Sequence, residues 1–280
     1  AVSAKFSETQ TFTGNLNSKN ATVDNGVTVT ASAADLTGDT VAAGGSGNIA
    51  ITALNATANA NLGGLSSVGG AVTAAFGGSA TFTGTLGTAV VTVADSAVMT
   101  AAFNKVSGKT INHDGSENGQ SLVVDIADAD NDADLSLING TIAVSAKFSE
   151  TQTFTGNLNS KNATVDDNVT VTSSYSILNG RTINHDGSQD SQALVVTINA
   201  ADKAGDLSNI TSTITNITAK FNQTQTFTGN LNGKSATVDD GVTVTASAAD
   251  LTGDTVAAGG SGNIAITALN ATTNANLGGL

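Results

Sequence analysis

Apolar and polar residues alternate one for one through many short stretches of the chain. Val27-Thr28-Val29-Thr30 and Ile49-Ala50-Ile51-Thr52 show the two-residue rhythm of strands that turn one face to a core. In the first complete repeat this pattern predicts strands over Val27 to Ala31, Asn48 to Thr52 and Ala71 to Phe76, followed by Ala80 to Thr85 and Val90 to Val93. Later segments of the same kind are Ser121 to Ile126, Thr141 to Ala146, Val169 to Thr172, Ala193 to Ile198 and Thr213 to Ile217. Their residues are largely β-branched, and the breaks between them are Gly, Asn and Asp, the residues of tight turns. No stretch carries a helical period.

The largest apolar side chains fall on a ruler. Eight of the nine phenylalanines form two columns, Phe6, Phe76, Phe148 and Phe221 in one and Phe12, Phe82, Phe154 and Phe227 in the other. Phe12-Thr13-Gly14-Asn15-Leu16 returns at 154 to 158 and 227 to 231, with a looser copy at 82 to 86. The chain is therefore a repeat protein. Its divisions are a partial repeat over 1 to 26, complete repeats over 27 to 96, 97 to 168 and 169 to 241, and a partial repeat over 242 to 280. A super-period of 215 residues overlies these, since residues 1 to 65 match 216 to 280 at 56 of 65 positions. Ala1-Val2 matches Ala143-Val144 inside a continuous apolar segment, from which the array is expected to extend beyond both ends.

From Val27 the strand pattern steps by 22 residues to Ile49, by 23 to Val72 and by 25 to Ala97, the equivalent of Val27. Three nearly equal steps predict about three coils per repeat and an all-β, elongated parallel β-solenoid, each coil rising by about 4.8 Å. Proline is absent, as suits strands bonded on both sides. The phenylalanines are expected to fill one widened corner of a thin core. The competing architecture is a string of small β-sandwich domains, one per repeat; the lack of tryptophan and of linkers weighs against it.

Charge narrows the partners. The net charge is −13 with only ten basic residues, which excludes a phosphate-neutralising surface and hence nucleic acid. No run of 18 apolar residues exists, so no spanning helix is predicted. Without cysteine there are no disulfides and no thiolate metal sites.

The densest acidic segment supplies candidate calcium ligands: Asp125, Asp128, Asp130, Asp132 and Asp134, whose alternation offers the oxygens that hard cations take. It lacks the glycine of an EF-hand loop and has Asn139 at its twelfth place. The next repeat keeps two candidates, Asp202 and Asp206. A plain alternative is that Asp134, Asp206 and Asn61 cap turns ahead of Leu135, Leu207 and Leu62. Asp24-Asn25-Gly26, Asp166-Asp167-Asn168 and Asp239-Asp240-Gly241 read as turns before strands. His113 and His185 stand in Asn-His-Asp-Gly-Ser, a grouping with the members of a nucleophilic triad, yet the first repeat has Ala43-Gly44-Gly45-Ser46 there. No catalytic residue is assigned and no enzyme is read. The alternating Thr9, Thr11 and Thr13, with their copies at 151 to 155 and 224 to 228, recur once per repeat, too sparsely for a continuous ice-ordering face.

Val-Thr-Val-x-Ala-Ser-x-Ala-Asp-Leu-Thr-Gly at Val27 to Gly38 and Val242 to Gly253, followed by Gly-Ser-Gly-Asn-Ile-Ala-Ile-Thr and Asn-Leu-Gly-Gly-Leu, resembles the β-strand repeats of very large secreted bacterial surface proteins, S-layer-like proteins and type I-secreted adhesins among them. The glycine-aspartate nonapeptide of calcium-binding RTX repeats is missing. The resemblance implies an extracellular, cell-surface location and a scaffold role: a structural protein forming a layer or fibre by self-association with other copies of itself. A second role it implies is the stalk or glycan-contacting region of an adhesin.

Overall fold

The computed structural model describes residues 3–115, 117–187, 190–268 and 276–280. The chain is all-β in character and divides into two compact units, Ala1–Asp125 with Asp134–Ser145, and Ile126–Ala133 with Ala146–Leu280.

In the first unit one sheet takes the strands Ser3–Phe6, Asn20–Val23, Thr40–Ala43 and Leu65–Ser67, in that order. A second takes Gln10–Phe12, Thr28–Ser32, Asn48–Thr52, Val72–Phe76, Val90–Val93 and Ile111–His113. A third ladder joins Ala80–Phe82, Val98–Ala102 and Ser121–Ile126. Every pairing is parallel, and partners lie 17 to 24 residues apart, as Thr73 with Val90 and Val41 with Leu65 show. The chain alternates between the first and second sheets up to Val72–Phe76, then between the second sheet and the third ladder.

The second unit repeats this scheme. Strands Ala143–Phe148, Ala163–Val165 and Ile183–His185 form one ladder, paired from Ala146 onward. A six-stranded parallel sheet runs Gln152–Phe154, Thr170–Ser174, Ala193–Ile198, Asn216–Phe221, Ser235–Val238 and Thr255–Ala258. Gln225–Phe227, Thr243–Ser247 and Asn263–Thr267 make a three-stranded sheet.

The alternation in sequence becomes inside and outside. Val29, Ala31, Ile49 and Ile51 are buried while Thr28, Thr30, Ser32 and Asn48 between them are half-exposed. Strand pairing also crosses the repeat boundaries: Ala80 pairs Met99, Gln152 pairs Val171, and Gln225 pairs Val244. The repeats are therefore not separately closed beads.

One expected step differs. The strand Val72–Phe76 is followed in its sheet by Val90–Val93, 17 residues on, and the segment after Ala97 pairs instead with Ala80–Phe82. The reason lies in the two phenylalanine strands of a repeat, which enter different sheets. Their rings still meet: Phe148 and Phe154 pack edge to face at 5.1 Å and Phe221 and Phe227 at 5.2 Å, a geometry favoured by the ring quadrupoles.

The long repeated motif resolves into parts. Val29 and Ala31 end a strand, and the Ser32 hydroxyl accepts from the Asp35 amide. The Asp35 carboxylate accepts in return from Ser32, closing a capping box on the one-turn helix Ala33–Leu36. Leu36 is fully buried, and the chain leaves through Gly38 at φ +77°. The same serine–aspartate exchange recurs between Ser247 and Asp250.

Candidate functional site

The candidate calcium residues take separate local roles. Asp125 lies in the strand Ser121–Ile126, and its Oδ1 is shielded without a hydrogen bond. Asp128 and Asp130 sit in one turn of 3-10 helix, where the Asp128 amide donates to the Glu150 carboxylate at 3.0 Å. Asp132 is exposed in the following turn. Asp134 accepts from the Ser136 amide at 2.9 Å, Asp206 from the Ser208 amide at 2.9 Å and Asn61 from the Gly63 amide at 3.0 Å, the turn cap read from the sequence. Asp202 is buried, its Oδ2 has no hydrogen-bond partner, and burial raises its pKa against hydrogen bonds from Ser176 and Asn199. Among the described residues no three of His, Asp and Glu are gathered as a set that could hold a metal ion.

The two histidines end the strands Ile111–His113 and Ile183–His185, where their backbone amides donate to the hydroxyls of Thr141 and Thr213. Ser116 and Ser188, the third members of the sequence grouping, lie outside the described residues, as do residues 1–2 and 269–275.

What the structure does gather, repeat after repeat, is a set of bonds from one turn to the turn one strand step later. Asn25 Oδ1 accepts from the Ser46 amide and hydroxyl at 2.7 and 2.9 Å. At the equivalent place the Asp95 carboxylate accepts from Asn118 Nδ2 and Gln120 Nε2, Asp167 from Gln192 Nε2 at 2.7 Å, and Asp240 from the Ser261 amide and hydroxyl at 2.5 and 2.6 Å. These Ser261 bonds to a charged acceptor hold the Asp240 carboxyl below its ordinary pKa. The acidic corners are thus joints between successive steps.

Three further contacts repeat on the same spacing. Lys5, Lys147 and Lys220 bridge to Asp24, Asp166 and Asp239 at 3.0, 2.9 and 3.3 Å. The hydroxyls of Thr9, Ser79, Thr151 and Thr224 accept from the first amides of the next strand at 2.9 to 3.1 Å. The first threonine of each triplet is therefore occupied within the fold. In Phe-Thr-Gly, a Cβ on Gly84, Gly156 or Gly229 would stand 2.1 Å from the carbonyl oxygen of Ala60, Ala133 or Gly205, so only glycine lets the backbones approach.

Near the triplet Thr151-Thr153-Thr155 the second unit has an open groove of about 350 Å³, lined by Thr153, Phe154, Ser173, Ile177, Thr197 and Asn199. Ile177 stands where other repeats carry Asp35, Lys105 or Asp250, which gives this groove an apolar wall. Around Asp186, burial, a hydrogen bond with Asp166 and the charges of Asp166 and Asp167 push the carboxyl pKa up, against the Lys147 ammonium 3.9 Å away.

The repeated joints are spread along both units rather than focused on one centre. Sequence reasoning missed the lysine–aspartate pairs, although their signal is present: the one repeat without the lysine, at Ala75, also lacks the aspartate, at Ala94. Comparison of the chain with protein-family models, curated proteins and solved structures gave no match.

Proposed function

We propose that this chain is a structural, extracellular repeat protein in which successive strand steps wind as one elongated parallel β-solenoid, and that such windings self-associate into a cell-surface layer or fibre. The observation that carries the reading is the set of turn-to-turn bonds at Asn25, Asp95, Asp167 and Asp240, which recurs once per repeat and there tethers one step to the next. Parallel ladders that run through the repeat boundaries support it, because tension along such a stack is shared by backbone hydrogen bonds. Among the described residues no helix is long and apolar enough to cross a membrane.

The second reading, a stalk or glycan-contacting region of an adhesin, draws on the hydroxyl-lined groove between Thr153 and Asn199. Negative-stain microscopy of the purified chain separates the two. Fibres or sheets formed by the protein alone are expected; dispersed particles retained on immobilised glycans would favour the adhesin.

A further inference from the structure

We infer that Asn25 is a self-modifying site: attack by the Gly26 amide nitrogen converts its carboxamide to a carboxylate, and the joint to Ser46 matures into the charged form that Asp240 makes with Ser261.

The two joints differ in one side-chain group. Residues 21 to 53 match 236 to 268 at every position but one, Asn25 against Asp240. The turns have the same backbone: the Val27 and Val242 amides donate to Asp24 O and Asp239 O at 3.2 and 3.1 Å, and Gly26 and Gly241 stand at φ +73° and +72°. Ser46 and Ser261 each give an amide and a hydroxyl to the side-chain oxygen, at 2.7 and 2.9 Å on Asn25 and at 2.5 and 2.6 Å on Asp240. The fold therefore accommodates the product, with the shorter bonds that a charged acceptor makes.

The chemistry needs only water. Gly26 gives its amide proton to solvent base and its nitrogen bonds to Asn25 Cγ; the bond from Cγ to Nδ2 breaks, and the nitrogen takes up a proton and leaves as ammonia. Water then adds to Cγ of the cyclic imide and the new ring bond breaks, restoring the main chain with aspartate at position 25. One water is consumed, one ammonia is released and nothing is oxidised or reduced.

Asn25 is placed for each step. Asn25 and Gly26 are exposed, and a Cβ on Gly26 would meet nothing within 4 Å, so water has access. Among the described residues nothing accepts from the Gly26 amide or from Asn25 Nδ2, which leaves nucleophile and leaving group unheld. The two Ser46 donors point at Oδ1, where negative charge gathers as Cγ is attacked. In the sister turn the Ser261 hydroxyl and amide, and after them the Gly241 amide, hold the Asp240 carboxyl below its ordinary pKa, so the following amide lies beside the side-chain carboxyl there. The Ser46 donors also polarise Cγ in the imide, which directs water to it rather than to the main-chain carbonyl and gives aspartate rather than isoaspartate.

Each of the other four Asn-Gly pairs lacks one of these conditions. The Gly180 amide donates to Asn209 O at 3.1 Å and the Gly233 amide to the Asp254 carboxylate at 3.0 Å, which occupies the nucleophile. Asn118 Nδ2 donates to the Asp95 carboxylate at 3.1 Å and Asn139 Nδ2 to Leu137 O at 3.2 Å, which holds the leaving group.

Incubation of the full 280-residue chain in mildly alkaline buffer made with heavy-oxygen water tests this. The label marks the new carboxylate, which matters because residues 24 to 34, once converted, read the same as 239 to 249. After denaturation, an endoprotease that cuts ahead of aspartate but passes over isoaspartate resolves the product by peptide mass. In the folded chain Asn25 is expected to convert at least about tenfold faster than any other Asn-Gly site, and mainly to aspartate. In urea the five sites should react alike. Ser46→Ala, which removes one of the two donors, should slow Asn25 by about tenfold, with circular dichroism establishing that the variant folds. The inference is overturned if Asn25 reacts no faster than the other four, if its preference persists in urea, if isoaspartate predominates, or if Ser46→Ala leaves the rate unchanged or raises it. None of these outcomes depends on association between copies, so the scaffold reading is decided separately by the microscopy above.

Discussion

Lys147 Nζ lies 2.9 Å from the Asp166 carboxylate, and the pair joins a strand to the turn that ends the next strand in its ladder. Lys5 with Asp24 and Lys220 with Asp239 repeat it, and the remaining repeat has alanine at both places, Ala75 and Ala94. The charges are kept or dropped together, as expected where an unpaired partner costs more than the pair gains. Both side chains of the Lys147 pair are partly covered, so the coupling is expected to be modest, about 0.5 to 1 kcal/mol. Lys147→Ala leaves Asp166 facing Asp186 and should destabilise more than Lys5→Ala does. Adding Asp166→Ala, which copies the alanine repeat, should recover most of the loss in a urea-melt double-mutant cycle.

Close backbone approach makes Gly156 a sensitive position. Gly156→Ala would set a methyl 2.1 Å from Ala133 O and is expected to cost about 3 kcal/mol, since the obstacle is backbone that cannot step aside. Gly77→Ala meets only Asn55 Oδ1 at 3.6 Å and should fall within about 0.5 kcal/mol of the parent. Equal effects at the two sites in chemical denaturation would contradict the stacking of these steps.

The buried phenylalanine pairs should contribute heavily to the core of the second unit. Phe148 and Phe154 are 0% and 1% exposed, so truncating either to alanine is expected to cost about 3 to 5 kcal/mol. Their edge-to-face contact should add roughly 0.5 to 1.5 kcal/mol of coupling in a double-mutant cycle.

Asp202 and Asp240 predict opposite responses to acid. Burial raises the Asp202 pKa above its ordinary 3.8, so the folded chain binds this proton more tightly than the unfolded chain. Its stability contribution is full below 3.8 and is lost as pH rises through the raised value. Asp202→Asn should therefore raise stability at neutral pH and gain nothing near about pH 3. Asp240 is lowered by Ser261, so its contribution is present above 3.8 and fades as pH falls through the depressed value. Asp240→Asn, which copies Asn25, should flatten that fade. Thermal melts across the acid range check both signs.

Much of the fold was legible in the chain because its signals are local. Alternation located Asn48–Thr52, Val90–Val93, Ser121–Ile126 and Ala193–Ile198 to the residue. The turn role of Asp134, Asp206 and Asn61 followed from their place ahead of a leucine. What alternation could not show is which sheet a strand joins. Phe76 and Phe82 lie six residues apart with the same periodicity yet enter different ladders, so the step from Val72 was misplaced. The bonds from Asn25 to Ser46 and from Lys147 to Asp166 needed the register first, since their partners are about 20 residues apart and neither sequence is unusual alone.

X-ray diffraction from aligned assemblies of the purified chain tests the scaffold proposal most directly. A stack of parallel windings along the fibre predicts a reflection near 4.8 Å on the fibre axis. Assemblies whose strand spacing lies across the axis, or a protein that forms no ordered assembly at any concentration, would contradict it.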